Sequence, residues 1–223
     1  MESVEFFGDW GEVIDFNLLN EVLKKLTLEM ERYEICPAPE NLFRAFTKCS
    51  YNKLKLVMLG QDPYPQRGVA TGIAFGNHLE TRPEDYSPSL KVLLNSVERY
   101  CSDDLPFSTI DAVFPTLELW AQQGVLLINS ALSVRLGQVG SHAIMWRQFI
   151  ASLLKNISEH KPDVIFALFG EQAKSFISYI PSDRYVTCVH PAYCARQQEL
   201  LPDIFKEIDK KMIEKGNFPI YWI

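Results

Sequence analysis

The sequence has no Cys-x-x-Cys pair, no apolar run long enough to span a bilayer, and no glycine-rich phosphate loop. Each absence removes a class of function. The five cysteines are scattered, so no disulfide framework, zinc site or iron–sulfur cluster is expected, and a reduced, intracellular (cytoplasmic) setting is. No stretch approaches the ~20 apolar residues of a transmembrane helix, so no membrane contact is expected. The opening residues Met1-Glu2-Ser3-Val4-Glu5 are acidic, unlike the basic start of a secretory signal. Neither GxxxxGK followed by Ser or Thr nor GxGxxG follows an expected strand, so the nucleotide-hydrolysis and dinucleotide readings lack their phosphate loops. A G-x-S-x-G elbow and a His-Glu-x-x-His pair are also missing. Internal repeats, low-complexity tracts and linkers are absent.

The remaining composition is that of an ordinary globule. The chain has 223 residues, 47% hydrophobic and 22% charged, enough for one sizeable core and a single α/β domain over residues 1–223. Its net charge of −6 speaks against a large nucleic-acid footprint. The distribution is uneven, however. Residues 1–40 hold ten acids, whereas 119–158 hold none and carry Arg135, Arg147 and Lys155. Residues 184–198 are likewise free of acids and carry Arg184 and Arg196. A neutral or basic face on an acidic protein suits a polyanion touched at only a few phosphates.

Periodicity predicts a helix over 16–33 with Asp15 or Asn17 as cap, a short helix over 40–49, and a helix starting at Ser87-Pro88. Further helices are expected over 116–123, from about Met145 to Ile157, over 171–179 and over 203–215. Apolar runs bounded by breakers predict buried strands at 55–59, 125–129, 163–169 and 185–189. Residues 66–86 read as a long loop rich in Gly, Thr and Pro. Strands alternating with helices imply a central four-stranded, parallel, twisted sheet with helices on both faces. Asp62, Asn129 and His190 would then each sit just past a strand end. That edge of a parallel sheet is where ligands bind.

An acid, a histidine, an amide and two nearby aromatics, Tyr64 and Phe75, suit the holding of one nucleobase: hydrogen bonds to its edge and stacking on its face. The acid and the histidine could divide the charges that develop when a glycosidic bond breaks. Each residue alone has a duller account, as an Asx-turn, a strand cap or a buried hydrogen-bonded histidine. His142 and Trp146 read as packing or capping groups. Arg135 fits either a DNA contact or an ion pair, and Cys188 reads as an inert thiol. The Asn156-Ile157-Ser158 sequon falls in an expected helix and reads as chance.

Gly60-Gln61-Asp62-Pro63-Tyr64 and His190-Pro191 resemble the two hallmark motifs of the family-one uracil-DNA glycosylases. The resemblance spans nearly the whole chain. It takes in Trp10, Phe43-Arg44-Ala45-Phe46, Gly72-Ile73-Ala74-Phe75, Ser87-Pro88-Ser89-Leu90-Lys91, Trp120-Ala121, the run from Gln123 to Asn129, Leu132-Ser133-Val134-Arg135, Ser141-His142 and Trp146. It implies that Asp62 orients or activates the attacking water and that His190 donates to uracil O2 as charge leaves on the base. It implies that Asn129 reads the Watson–Crick edge, Phe75 stacks on the flipped base, Tyr64 excludes the thymine methyl, and Gln61 offers a backbone contact. Ser87, Pro88, Ser89, Gly140, Ser141, Pro191, Ala192, Tyr193, Cys194 and Arg196 would grip the DNA backbone. No metal or cofactor is implied. The implied partners are uracil-containing single- and double-stranded DNA, with room for a protein inhibitor or replication partner, and the protein would act as a monomer.

The chain departs from the family pattern in three places. Pro65 stands where a histidine usually follows the tyrosine, and Thr71 lies where a further histidine is usual. Ala192-Tyr193-Cys194-Ala195-Arg196 replaces the usual Ser-Pro-Leu-Ser, leaving Cys194 at the position of the leucine wedge and Tyr193 or Arg196 to fill that role. The changes at Pro65 and in this loop resemble the poxvirus branch. They leave room for a rival reading, a catalytically weak or inactive scaffold on the same fold.

Overall fold

Three strands of the central sheet carry apolar side chains on both faces, which is possible only if both faces are covered. A computed structural model describes residues 2–101 and 115–223. Its main sheet comprises β2 (Leu56–Gly60), β3 (Val125–Asn129), β5 (Ile165–Phe169) and β6 (Tyr185–Cys188). The order is β3-β2-β5-β6 and every pairing is parallel. β2, β3 and β5 are buried along their whole length, whereas the edge strand β6 exposes Thr187. Gly60 pairs with Asn129, so the two strands end level with each other.

The helices are α1 (Glu2–Phe7), α2 (Phe16–Met30), α3 (Arg44–Lys48), α4 (Pro88–Cys101), α5 (Glu118–Gln122), α6 (Ala143–His160), α7 (Gly170–Lys174), α8 (Pro191–Gln197) and α9 (Ile204–Glu214). Asp15 caps α2 as expected, accepting from the N–H groups of Asn17 and Leu18 at 3.0 and 3.1 Å. α6 buries Trp146, Phe149, Ile150, Leu153, Leu154 and Ile157, the periodic set in the sequence. No helix among the described residues is long and apolar enough to cross a membrane. All five cysteines are free.

Two local expectations are corrected. The helix over 40–49 is broken: a 3-10 turn at Pro39–Asn41 precedes α3, because Phe43 leaves helical geometry. The helix over 171–179 is likewise split into α7 and a 3-10 turn at Ile177–Tyr179. Ser87 stands directly before α4 as expected, its carbonyl accepting from the Lys91 N–H at 3.1 Å, and it is held by Asn77, which accepts from its N–H and donates to its hydroxyl, both at 2.8 Å. Three elements were not expected: α8, and the strands β1 (Ile35–Cys36) and β4 (Val134–Arg135), which pair antiparallel.

Candidate active site

The site is assembled at the carboxyl ends of the parallel strands. Asp62 lies two residues past β2, Asn129 is the last residue of β3, and His190 lies two residues past β6. β5 runs between β2 and β6, so His190 must reach across the end of β5 to meet Asp62. The residue there is Gly170, with φ +84°, and a Cβ on it would stand 2.9 Å from the Cβ of His190. Gly60 has the same job on the other side: a Cβ there would meet Asn129 Oδ1 at 2.4 Å and Phe75 Cζ at 3.1 Å. Two strand-end glycines thus clear the space in which the three polar groups converge.

The resulting cavity is lined by Asp62, Tyr64, Phe75, Asn129 and His190, with Thr71 and Ser89 at its wall. A larger depression of about 670 Å³ lies at the amino ends of the strands, beside Lys53, Lys55 and Lys161. Among the described residues it has no convergent buried polar group, and that end of a parallel sheet is seldom a binding site.

Each polar group in the cavity is oriented by its surroundings. Asp62 Oδ2 accepts from the Gly140 N–H at 2.8 Å and from the Gln61 amide at 3.2 Å. Its Oδ1 is buried with no hydrogen-bond partner among the described residues, which leaves one carboxylate oxygen open to a ligand. Burial pushes the Asp62 carboxyl up, while Gly140 and Gln61 pull it back toward the charged form. His190 Nδ1 accepts from the Ala192 N–H at 3.1 Å, which puts the ring proton on Nε2. Burial, and then the charge of Arg196, hold this imidazole down to about 4. It is therefore a neutral donor at physiological pH.

Phe75 has φ +67°, a left-handed conformation costly for a residue with a side chain. Tyr64 fixes it there by donating its hydroxyl to the Phe75 carbonyl at 2.9 Å. The Phe75 ring packs edge-on against Phe169 at 5.3 Å and tilts toward His190 at 5.8 Å. Among the described residues no side-chain hydrogen bond restrains the Asn129 amide, which borders the cavity. The Gln61 carbonyl is used internally, accepting from Ala131 N–H and Ser130 Oγ at 3.1 and 2.9 Å.

The expected DNA-contact residues divide into two groups. Ser89 lines the cavity, while Ser87 and Pro191 are buried beside it. Gly140 is exposed but has its N–H on Asp62, and Ser141 Oγ accepts from the Arg135 N–H at 2.9 Å. Ala192 is half-buried, and Tyr193 and Arg196 are exposed one turn apart on α8. Pro88 begins α4. Cys194 points inward, only 1% exposed, with Sγ toward the Leu200 carbonyl, so its side chain cannot serve as a wedge in this conformation.

Arg135 is engaged by Glu29, donating from Nε and Nη2 at 2.6 and 2.9 Å, and stacks 3.9 Å over Tyr33. The ion-pair reading of this arginine therefore holds. His142 is fully buried against Ser133, as its packing role required. Sequence reasoning gave no role to Gly60, Gly170 or the Gly140 N–H. A glycine closing a buried strand was the available signal for the first two. Nothing in a sequence marks a backbone donor.

The fold and this site define a protein of the parallel α/β class in which a carboxylate and an imidazole face one cavity at the carboxyl ends of the strands. Residues 46–213 match the family model described as the uracil DNA glycosylase superfamily, and the chain belongs to that family. The uracil-DNA glycosylase of Fusobacterium nucleatum is 36% identical over 192 residues, covering 83% of this chain and 81% of that protein. That of Dichelobacter nodosus is 33% identical over 229 residues, covering 99% and 96%. A crystal structure of a substituted mimivirus UNG in complex with UGI has a TM-score of 0.76 at 24% identity, covering 92% of this chain and 82% of that one.

Proposed function

We propose that this chain is a monofunctional uracil-DNA glycosylase that works on an extruded uracil nucleotide. The observation that carries the mechanism is the division of labour between Asp62, with one free buried oxygen, and His190, a neutral Nε2–H donor across the same cavity. As the C1′–N1 bond breaks, its electron pair leaves on the base and positive charge grows on the sugar. Asp62 steadies that cation and orients a water whose oxygen bonds to C1′. The water's proton passes to Asp62 or to solvent. His190 donates to O2 of the departing anion. A fixed donor of this kind is worth on the order of 10²–10³ in rate. Asn129 pairs with the base edge, and a base of the wrong pattern leaves its amide badly matched. Phe75, locked by Tyr64, offers its face for stacking, and Tyr64 crowds the position of a C5 methyl.

The partners in this reading are uracil-containing single- and double-stranded DNA, acted on by one catalytic domain working as a monomer. The mimivirus complex with UGI supports a protein inhibitor as a further partner. Five free cysteines support a reducing, intracellular compartment. The test is incubation with an oligonucleotide carrying a single uracil, then alkaline cleavage at abasic sites. Strand scission at the uracil, lost on Asp62→Asn, is the expected result. Folded protein that leaves the strand intact would favour the scaffold reading.

A further inference from the structure

The proposed mechanism leaves unused a buried polar network behind the site. Ser133 and His142 are almost fully buried, at 0% and 1% exposure. Ser133 Oγ lies 2.8 Å from His142 Nδ1 and accepts from Trp146 Nε1 at 2.7 Å. The other nitrogen of His142 faces Glu29 Oε2 at 3.6 Å. Glu29 sits in the last turn of α2 and also takes both hydrogen bonds from Arg135.

Arg135 and His142 are the two ends of one loop. The Arg135 N–H donates to Ser141 Oγ at 2.9 Å, and its carbonyl accepts from the Gln138 N–H at 2.9 Å. The Gly137 N–H donates to the Pro65 carbonyl at 2.8 Å, tying the loop back to the segment after Asp62. Between these anchors lies Gly140, φ +79°, whose N–H meets Asp62 Oδ2 at 2.8 Å. A single carboxylate on a distant helix thus faces both ends of the loop that supplies a hydrogen bond to Asp62.

We propose that Glu29 is a positioning residue for Asp62, holding the 136–142 loop at Arg135, beside the buried His142, so that the Gly140 N–H stays on the carboxylate. This rests on the proposed role of Asp62 in uracil excision. The groups facing Asp62 are the Gln61 amide, the Gly140 N–H and, across the cavity, Tyr64, Asn129 and His190; among the described residues no lysine or arginine lines that cavity. Gly140 is therefore one of two donors on the carboxylate among the described residues, and its withdrawal should favour the neutral acid.

The experiment is a carbon-13 NMR titration of the Asp62 carboxyl, assigned with Asp62→Asn, in the native chain, in the isosteric Glu29→Gln and in Arg135→Lys. Uracil excision is followed against pH on the same samples. The expected result is an upward shift of about one unit in the Asp62 midpoint in Glu29→Gln, and a smaller one in Arg135→Lys, from loss of a charge-favouring hydrogen bond. The acid limb of the excision rate should move with it, and the rate should recover at higher pH. An unmoved Asp62 midpoint in both variants, or activity lost equally at every pH, would overturn the inference. The titration does not depend on turnover. Native protein inactive on uracil DNA would refute the proposed function and leave the coupling measurable.

Discussion

Gly60 and Asn129 end neighbouring strands level with each other, and a Cβ on Gly60 would stand 2.4 Å from the Asn129 amide oxygen. The same atom would press Phe75 at 3.1 Å. Gly60→Ala should therefore fold, because the steric cost falls on the free end of Asn129, which can rotate away. It should nevertheless lose about 10²-fold in kcat/KM on uracil DNA, the scale expected when a base-reading group is displaced by about 1 Å. Single-turnover kinetics and a thermal melt separate the two effects. A variant with near-native kinetics would show that Asn129 does not read the base from this position.

His190 makes stability depend on pH with a definite sign. Its folded value of about 4 lies below its ordinary 6.5, so between those values the unfolded chain binds the extra proton. The contribution is present in full above about 6.5 and is lost as pH falls toward 4. Melting temperatures of the native chain and of His190→Gln, measured from pH 7.5 to 4.5, should show the native chain losing more over that window. A nitrogen-15 spectrum at pH 7 should show a neutral ring protonated on Nε2. Protonation at Nδ1 would contradict the Ala192 hydrogen bond and remove the proposed donor from O2.

The parts of this fold legible in the sequence are those set by local pattern. β2, β3 and β5 are buried on both faces and so read as unbroken apolar runs. α2, α6 and α9 show helical stripes because each packs one face. α8 left no trace because seven residues behind a His-Pro turn are too few for a periodic signal. β1 and β4, two residues each, were equally silent. Asp62, Asn129 and His190 could be placed at strand ends, and the structure brings them to one cavity. What makes their meeting possible, the missing side chains of Gly60 and Gly170, is a steric relation between distant segments. No local spacing encodes it. The donor on Asp62 was hidden for another reason: it is a backbone N–H, supplied by a loop first read as a DNA contact.

Tyr64 has two functions that can be separated. Its ring borders the cavity, and its hydroxyl pins the strained Phe75 backbone. Tyr64→Phe keeps the ring and removes the hydroxyl bonded to the Phe75 carbonyl, so it should retain uracil selectivity and lose about 1 kcal/mol of stability. Tyr64→Ala should gain measurable excision of thymine but lose rate on uracil, because Phe75 is no longer fixed. Asn129→Asp should gain activity on cytosine by reversing the hydrogen-bond pattern offered to the base edge. Paired oligonucleotides differing only in the target base give all three readings. Strict uracil selectivity in both Tyr64→Ala and Asn129→Asp would refute the assignment of the pocket.

The wedge assignment follows from the way α8 faces. Tyr193 and Arg196 stand one turn apart and exposed, while Cys194 lies between them in sequence but inside the protein. Filling the gap left by a flipped base matters only in a duplex, since a single strand has no partner base or stack to restore. Tyr193→Ala and Arg196→Ala should therefore reduce excision more on duplex than on single-stranded substrate. Arg196→Ala should also raise the His190 midpoint, because its charge helps to hold that ring neutral. Cys194→Leu, which places the family's usual wedge at the matching position, should not improve duplex activity. The leucine would be forced into a packed interior and should cost about 1–3 kcal/mol of stability. Equal losses on both substrates for the two alanine variants would discard Tyr193 and Arg196 as the wedge, and a gain in duplex activity for Cys194→Leu would mean that α8 unwinds on DNA and that Cys194 turns outward.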